Sequence, residues 1–163
     1  MGETTDEFNP FSGERMLRRL DVRKPEQMWL ETTFESTESE RAPSSYYIPA
    51  SLTPVIERLR AHGIRMERLD RPITISVEEF RIAATQVAAQ TFEKHQERTA
   101  TGQYQVAERS IPAGTYRIPM NQPLARLAFY LLEPRSNDGL LTWNFLDDAL
   151  KTSNTYPIVR SRD

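Results

Sequence analysis

The chain has 163 residues, of which 38% are hydrophobic and 27% charged, with a formal net charge of −2 and no cysteine. A chain of this length can bury a core without disulfides, and the lack of cysteine excludes disulfides, thiolate metal sites and a cysteine nucleophile. The balanced charge excludes the basic face typical of nucleic-acid-binding proteins, and no apolar run reaches the roughly 20 residues of a membrane span.

The first 45 residues predict a lead-in, two strands and a linker. Residues 1–13 mix glycine, proline, serine and acids, which is typical of a flexible lead-in. Apolar residues within 14–22, and at alternate positions of 28–34, predict two strands. Residues 37–45 are polar and predict an exposed linker. We expect one β-rich domain over residues 14–160, followed by a tail at 161–163.

The next segment predicts a strand, a helix and a second strand. The sequence SYYIP at 45–49 is aromatic and β-branched, which favours a strand. Thr53 is a candidate N-cap and Pro54 suits the first helical turn. Gly63 suits the left-handed residue that ends a helix. Beyond it, apolar and charged residues alternate over 64–67, which predicts a strand.

The middle of the chain predicts long strands with one irregularity. Apolar residues alternate over 73–77 and then change parity at Phe80, which predicts a β-bulge near Glu78 and Glu79. Beyond the bulge we expect an extended segment over residues 83–89. A polar loop over 91–102, which ends in a glycine turn, and a further strand over 103–111 should follow.

The last third predicts a hairpin, a helix and an apolar segment. Pro112-Ala113-Gly114 is a tight connection to a strand at 115–118, which suggests a hairpin or a turn at the edge of a β-sandwich. Asn121 or Gln122 is a candidate cap for a helix that ends before Pro134. Its expected buried stripe is Leu124, Leu127, Ala128 and Leu131. We then expect a polar loop, a covered apolar segment and a last strand, at 135–139, 140–150 and 156–159.

The predicted elements define a fold class. Strands predominate, short connections favour antiparallel neighbours, and two or three segments have helical periodicity. We therefore predict an α+β fold with an antiparallel β-sheet or a β-sandwich and two or three helices.

The sequence contains no motif that is typical of a catalytic site. His62 and His95 are the two histidines, and neither belongs to an HxxE or HExxH motif. Adjacent carboxylates, as at 78–79 and 147–148, diverge on a strand or a helix and do not make a facing acid pair. No GxSxG elbow or glycine-rich phosphate loop occurs. We predict no catalytic residue, no metal ligand and no cofactor in this chain.

One group of polar residues remains as a candidate binding surface. A mixture of amides, charges and an indole suits a peptide, a sugar or a neighbouring domain. The alternative is that Arg135 and Asp138 pair to fix a loop while Trp143 fills the core. Tyr46, Tyr47 and Tyr104 are similarly interpreted as a stacking platform or as core. The candidate binding residues are Asn121, Gln122, Arg126, Arg135, Asp138, Trp143 and Asn144.

Three segments carry a family resemblance. They are SSYYIPASLTPVIERLRAHGIRMERL at 44–69, ERSIPAGTYRIPMNQPLARLAFYLLEPRSNDGLLTWNFLDDAL at 108–150, and YPIVR at 156–160. Their order resembles the C-terminal accessory region of large bacterial carboxypeptidase-A-like zinc metallopeptidases. The catalytic domain of that family supplies an HxxE pair, a later histidine, an arginine for the substrate carboxylate and a general-base glutamate. None of these motifs occurs here.

The resemblance implies a β-rich accessory domain that follows a peptidase domain in an exported protein. It implies a metallopeptidase catalytic domain as partner, in cis or in trans, with zinc confined to that domain. We therefore expect a non-catalytic accessory or interaction domain. The alternative is an independent glycan- or peptide-binding module, which an exposed aromatic row beside a polar groove would favour. A carboxylate hydrolase would instead require a deep cleft with two facing acids.

Overall fold

The computed structural model describes residues 2–23, 25, 27–36 and 38–162. The chain divides into two compact units, Met1–Ser39 (the N-terminal unit) and Glu40–Asp163 (the C-terminal unit). This division falls at a different place from the predicted limits of a lead-in over 1–13 and a domain over 14–160.

The N-terminal unit contains one antiparallel strand pair. Strand β1 (Gly2–Phe8) pairs with β2 (Arg15–Arg23), so the strand predicted at 14–22 is confirmed. A turn joins them, in which the Asn9 side chain accepts hydrogen bonds from two backbone amides and Gly13 adopts a φ of +70°. Strand β1 occupies a range in which the sequence predicted no regular element.

The strand predicted at 28–34 is wrong. Residues 27–36 have no regular secondary structure, and Trp29 and Phe34 are 99% and 90% exposed. Alternation of apolar residues favours a strand only where a neighbouring strand pairs with it and one face is covered. Neither condition is met in this segment.

The C-terminal unit contains a six-stranded sheet with the spatial order β4-β7-β3-β8-β5-β6. Its described strand pairs are all antiparallel. Together with three helices, this confirms the predicted α+β class with an antiparallel sheet. The elements are β3 (Ser45–Ile48), α1 (Thr53–Ala61), β4 (Glu67–Arg68), β5 (Ile73–Val87), β6 (Arg98–Ile111), β7 (Tyr116–Pro119), α2 (Ala125–Leu132), α3 (Asp147–Leu150) and β8 (Val159–Ser161).

Both faces of this sheet are covered by apolar side chains. Successive strand residues point to opposite faces, so the neighbours Tyr46 and Tyr47 join different clusters. Helices α1 and α2 pack on the face of Tyr46 and form the main core, while Tyr47 lies in a smaller cluster with Val77 and Ile111. Tyr46 and Tyr47 are therefore core residues rather than a stacking platform. The most buried members of the main core are Tyr46, Ile48, Val55, Leu59, Phe80, Ile118, Ala128, Leu132, Leu141, Leu146 and Tyr156.

The predicted bulge at Glu78 and Glu79 is misplaced. Both residues pair regularly with β6, and the register shift lies between Ile82 and Ala84. The parity change at Phe80 has another cause: β5 passes from the smaller cluster on one face to the main core on the other. The extended segment predicted beyond it is confirmed as far as Val87.

The glycine turn predicted at Gly102 is wrong, and so is the hairpin predicted around Pro112. Gly102 lies inside β6 and pairs with Ile82, and the turn between β5 and β6 lies earlier, between Val87 and Arg98. Strand β6 pairs with β5, whereas β7 pairs with β3 and β4. The segment after Pro112 therefore crosses to a distant part of the sheet.

The first helix begins without the predicted cap. Leu52 occupies the N-cap position of α1, with no side-chain cap, and Thr53 is the first helical residue. Gly63 does adopt the predicted left-handed conformation, with a φ of +75°. The strand predicted at 64–67 is reduced to the two residues of β4.

The second helix also lacks a side-chain cap. Leu124 is its N-cap residue, because the side chains of Asn121 and Gln122 bond to Arg65 instead. The backbone of Glu133 turns extended before Pro134, as expected for a residue that precedes proline.

The last apolar segment is covered as predicted. Leu140, Leu141 and Leu146 are buried, and the final strand β8 starts at Val159, later than the predicted 156–159. Among the described residues, no helix combines the length and apolar character needed to cross a membrane.

Candidate functional site

The predicted binding residues occupy several separate places in the C-terminal unit. Asn121 and Gln122 both hold Arg65. The Gln122 carbonyl oxygen accepts from the Arg65 backbone amide at 2.7 Å, and the Asn121 carbonyl oxygen accepts from the Arg65 guanidinium at 3.0 Å. These amides connect the segment after α1 to the segment before α2, which is a structural role.

Arg135 and Asp138 have identified partners in different directions. The Arg135 guanidinium donates to Glu40 at 2.8 Å, while Asp138 accepts a hydrogen bond from the Trp143 indole. Trp143 is partly buried and outside the main core, so the expectation that it fills the core is wrong.

Trp143 and Asn144 form a local cluster with a histidine. The Trp143 and His95 rings meet edge to face with their centroids 5.4 Å apart, and the Trp143 centroid lies 6.2 Å from that of Phe92. The Asn144 side chain bonds the His95 ring at 3.2 Å and donates to the Gln96 carbonyl at 2.9 Å. The chain thus brings two candidate residues together with His95, which the sequence placed only in a charged loop.

Arg126 is exposed on α2 beside an apolar groove of about 580 Å³. The groove is open, and Tyr130 in its wall is 42% exposed. A surface of this composition suits contact with another protein surface. The remaining lining residues are Pro123, Leu124, Leu127 and Phe129.

A buried guanidinium forms the most extensive polar cluster, and sequence reasoning missed it. Arg160 is 1% exposed, and each of its three nitrogens donates to a different carboxylate: Glu78 at 2.7 Å, Glu133 at 2.8 Å and Glu40 at 2.9 Å. Its guanidinium carbon also lies 3.4 Å from the centre of the Tyr104 ring. A planar fork of donors suits this arrangement, whereas lysine presents a single point charge.

Two tyrosines complete the coordination of Glu133. Tyr46 donates to one carboxylate oxygen at 2.5 Å and Tyr104 donates to the other at 2.9 Å. Burial, followed by the charge of Glu133, raises the pKa of both phenols above the ordinary value of 10.0. Both therefore stay protonated as donors, and Tyr104, like Tyr46, is core rather than a stacking platform.

The guanidinium lowers the pKa of two of its carboxylates. Burial alone raises the pKa of Glu40, but the hydrogen bond and charge of Arg160 outweigh it, so the net shift is downward. Burial likewise opposes the shift of Glu78, whose pKa is lowered by hydrogen bonds from Arg162 and Arg160. Both carboxylates are therefore ionised at neutral pH and pair with the cation.

Glu79 forms a second ion cluster on the opposite face of β5. Arg109 donates to it at 2.5 and 3.0 Å, and Arg81 donates at 2.9 Å. The hydrogen bond from Arg109 is the main cause of the lowered pKa of Glu79. Glu78 and Glu79 thus point to opposite faces as expected for adjacent strand residues, and they do not make a facing acid pair.

The described residues do not fit a catalytic zinc centre. Among residues 2–23, 25, 27–36 and 38–162, no group of three histidine, cysteine, aspartate or glutamate side chains could hold a metal ion. Where Glu40, Glu78 and Glu133 converge, the Arg160 guanidinium bonds to all three, and Arg135 and Arg162 supply further positive charge. A metal site also needs an open coordination position, which this saturated cluster does not offer.

One local signal could have indicated the cluster. Arg160 follows an apolar run at 156–159, and Glu133 stands between Leu132 and Pro134 at the end of an apolar helix. A charge within such a run is buried only when it is paired. The signal indicates a buried charge but does not identify its partner.

The lowered carboxyl pKa values predict how the free energy of unfolding changes at acidic pH. Glu40, Glu78 and Glu79 have folded pKa values below the ordinary 4.5. Their stabilisation is therefore complete above about pH 4.5 and is lost as pH falls through the folded values. Denaturant titrations between pH 7 and pH 2.5 should show a steep fall in unfolding free energy below about pH 4.5.

A matched pair of variants isolates the contribution of Glu79. Glu79→Gln should be less stable at pH 7 and should lose less stability on acidification than the unmodified chain. Glu108→Gln, at an exposed position on β6, should keep the original pH profile. Parallel acid profiles for Glu79→Gln and the unmodified chain would contradict this prediction.

Comparison with known proteins connects the chain to carboxypeptidases of fungi. It is 32% identical over 123 residues to Carboxypeptidase 2 of Trichophyton tonsurans, an alignment covering 72% of this chain and 22% of that protein. It is 31% identical over 134 residues to Carboxypeptidase 2 of Trichophyton rubrum, which covers 79% of this chain and 24% of that protein. It is 34% identical over 114 residues to the Probable carboxypeptidase 2 of Arthroderma benhamiae, which covers 67% of this chain and 21% of that protein.

The extent of these alignments limits what they show. The chain spans between a fifth and a quarter of the length of the curated relatives it matches. No protein-family model matches the chain, and no solved structure matches it. The chain is therefore related to a portion of these carboxypeptidases, and the predicted resemblance to a carboxypeptidase is confirmed at that level.

Proposed function

We propose that this chain is a non-catalytic accessory portion of a carboxypeptidase and packs beside the catalytic portion. The observation that carries the proposal is the partial alignment: most of this chain matches about a fifth of each relative. The chemistry of the C-terminal unit supports it, because the described carboxylates of its main polar cluster are neutralised by arginines. Such a cluster stabilises a fold and does not activate water.

We further propose that the parent enzyme is a zinc metallocarboxypeptidase of the exported type. The support is the resemblance of residues 44–69 and 108–150 to the region behind the catalytic domain of such peptidases. The catalytic portion would then hold the zinc and the substrate, in cis or in trans. The relatives found are fungal, so they lend no support to a bacterial source.

The groove on α2 is the surface that we assign to the contact with the catalytic portion. It combines apolar lining with the exposed guanidinium of Arg126. Apolar area supplies the association free energy, and a charge at the rim fixes orientation and partner choice. We expect an acidic or hydrogen-bond-accepting group opposite Arg126.

A complementation experiment tests this function. Carboxypeptidase 2 of Trichophyton tonsurans, with the segment that matches this chain deleted, is mixed with this chain and zinc. We expect a complex in analytical ultracentrifugation and higher release of C-terminal residues from a peptide than the truncated enzyme gives alone. This chain alone with zinc should release none, because its described carboxylates and histidines form no metal-ligand set.

Two variants locate the contact. Arg126→Glu should weaken the complex by roughly tenfold or more, a change of about 1.4 kcal/mol. Val106→Asp, at a 74% exposed apolar position on β6 outside the groove, should leave it unchanged. Release of C-terminal residues by this chain alone would overturn the proposed function. A complex that is insensitive to Arg126→Glu would overturn the assignment of the contact to the α2 groove.

A further inference from the structure

Two adjacent pockets lie where β5 ends and β6 begins, and they share Arg98 and Asp147 in their walls. The first has a volume of about 340 Å³ and the second about 360 Å³, which is within the range of small-ligand sites. We call these two pockets the tip groove. Its lining is rich in amides and hydroxyls, from Thr85, Thr91, Gln96, Asn144, Ser153 and Asn154.

Two of the cations in the tip groove are paired, one of them with a carboxylate in its walls and the other with a carboxylate beside them. Arg98 donates to both oxygens of Asp147, at 2.8 and 3.2 Å, and Lys151 donates to Asp148 at 2.6 Å. Lys94 adds a positive charge in the second pocket. Counted with Asp148 beside the groove, three cations face two carboxylates, and most of these charges are already paired. The groove therefore offers a ligand mainly hydrogen-bond donors and acceptors.

One aromatic side chain lines the second pocket, and two more stand next to it. His95 lines the pocket, Trp143 meets His95 edge to face, and Phe92 stands next to Trp143 with 56% of its surface exposed. The Trp143 indole N–H is oriented by Asp138. Rings held in this way can contact an apolar ligand face while their neighbours bind its polar edge.

The wall of the second pocket is held in an unusual backbone conformation. Among the described residues, the non-glycine residues with positive φ are Glu93, Lys94 and Asn144, at 47°, 70° and 66°, and all three belong to this region. Such conformations cost free energy and persist where surrounding contacts enforce them. The two Asn144 hydrogen bonds, to His95 and Gln96, supply that enforcement and fix the groove in one shape.

We propose that the tip groove binds a neutral oligosaccharide. A sugar ring presents hydroxyls at its edge and C–H groups on its faces, which matches the paired amides and ions of the groove and the rings beside it. A peptide fits less well, because the walls are mostly polar and provide few apolar pockets for side chains. The proposal does not rest on the carboxypeptidase assignment, since the α2 groove contributes no residue to it.

Titration of the full chain with cellohexaose, hexa-N-acetylchitohexaose, xylohexaose and mannohexaose tests the proposal. Trp29 and Trp143 are the two tryptophans, so their indole N–H signals in a ¹⁵N spectrum report separately. We expect at least one sugar to shift the Trp143 indole in a saturable manner and to leave the Trp29 indole in place.

A glycine variant isolates the contribution of the Asn144 side chain. Asn144→Gly tolerates the positive φ and removes the amide, so it should fold and weaken sugar binding by roughly tenfold or more. Asn121→Ala, which lies outside the groove, should bind like the unmodified chain.

Three outcomes would overturn the oligosaccharide assignment. The first is no Trp143 shift with any of the four sugars. The second is unchanged affinity in folded Asn144→Gly. The third is a saturable Trp143 shift caused by a tetra-alanine peptide but by none of the sugars, which would assign the groove to peptides.

Discussion

Replacement of Arg160 by methionine should destabilise the C-terminal unit by about 3–5 kcal/mol at pH 7. The variant leaves three carboxylates facing one another without the guanidinium that pairs with each of them. Glu133 suffers most, because its side chain is 7% exposed and it lies at the C-terminal end of α2, where a negative charge is unfavourable. Guanidinium chloride unfolding followed by circular dichroism measures the loss.

The acid response of this variant should be weaker than that of the unmodified chain. Without Arg160, Glu40 keeps its bond to Arg135 and Glu78 keeps its bond to Arg162, so the pKa values of both carboxyls are lowered less. Less stability is then lost as pH falls through those pKa values, while the Glu79 cluster keeps its own contribution. In the unmodified chain, the more strongly lowered pKa values of Glu40 and Glu78 give a larger loss of stability on acidification.

A neighbouring arginine provides the control. Arg162 donates to Glu78 at 2.6 Å but is 32% exposed, so Arg162→Met should cost no more than about 1 kcal/mol. Arg160→Lys, which keeps the charge and loses the fork, should fall between the two methionine variants. A loss below about 1 kcal/mol for Arg160→Met, with an unchanged acid profile, would show that the cluster contributes little to stability.

The features predicted correctly from the sequence depend on neighbours along the chain. Gly63 at the end of α1 and the strand at Ser45–Ile48 follow from one residue with special backbone freedom and from local composition. Of the stripe predicted on α2, Ala128 is buried, whereas Leu124, Leu127 and Leu131 are only partly buried. The antiparallel α+β class follows from the order of such elements. These signals remain valid whatever the distant parts of the chain do.

The features missed depend on residues far apart in sequence. Arg160 pairs with Glu40, 120 residues away, and with Glu78, 82 residues away. Composition and periodicity carry no information about such pairs. The same limit explains the misplaced bulge, because the parity change at Phe80 depends on which cluster covers each face of the sheet.

The candidate binding residues show a mixed result for the same reason. Trp143 and Asn144 lie together beside His95, whereas Asn121 and Gln122 hold Arg65 and Arg126 lies at the α2 groove. Nearness in sequence grouped them, but the turn before β6 supplies the other half of the tip groove. Their role in binding a ligand or a partner stays a prediction.

At Gly102 the local propensity and the folded structure disagree directly. Its replacement is therefore the second change that should strongly alter the free energy of unfolding. A glycine in a strand normally costs stability, and Gly→Ala at an ordinary strand position should gain about 0.5–1 kcal/mol. At Gly102, however, an added Cβ would clash with the Arg81 carbonyl oxygen and lie 2.9 Å from the Phe80 ring. Phe80 is fully buried, so neither neighbour can move without disturbing the core.

We therefore expect Gly102→Ala to destabilise the C-terminal unit by about 2–3 kcal/mol, within the range of overpacked cores. Gln103→Ala, at the adjacent exposed position of β6, should change the unfolding free energy by no more than about 0.5 kcal/mol. Hydrogen exchange at the amides around the Ile82–Gly102 pair should increase in the glycine variant, because separation of β5 from β6 is the way to relieve the clash. A Gly102→Ala chain as stable as the unmodified one would mean that β5 and β6 separate there without a cost in free energy. The close approach of Arg81 to Gly102 would then contribute nothing to stability.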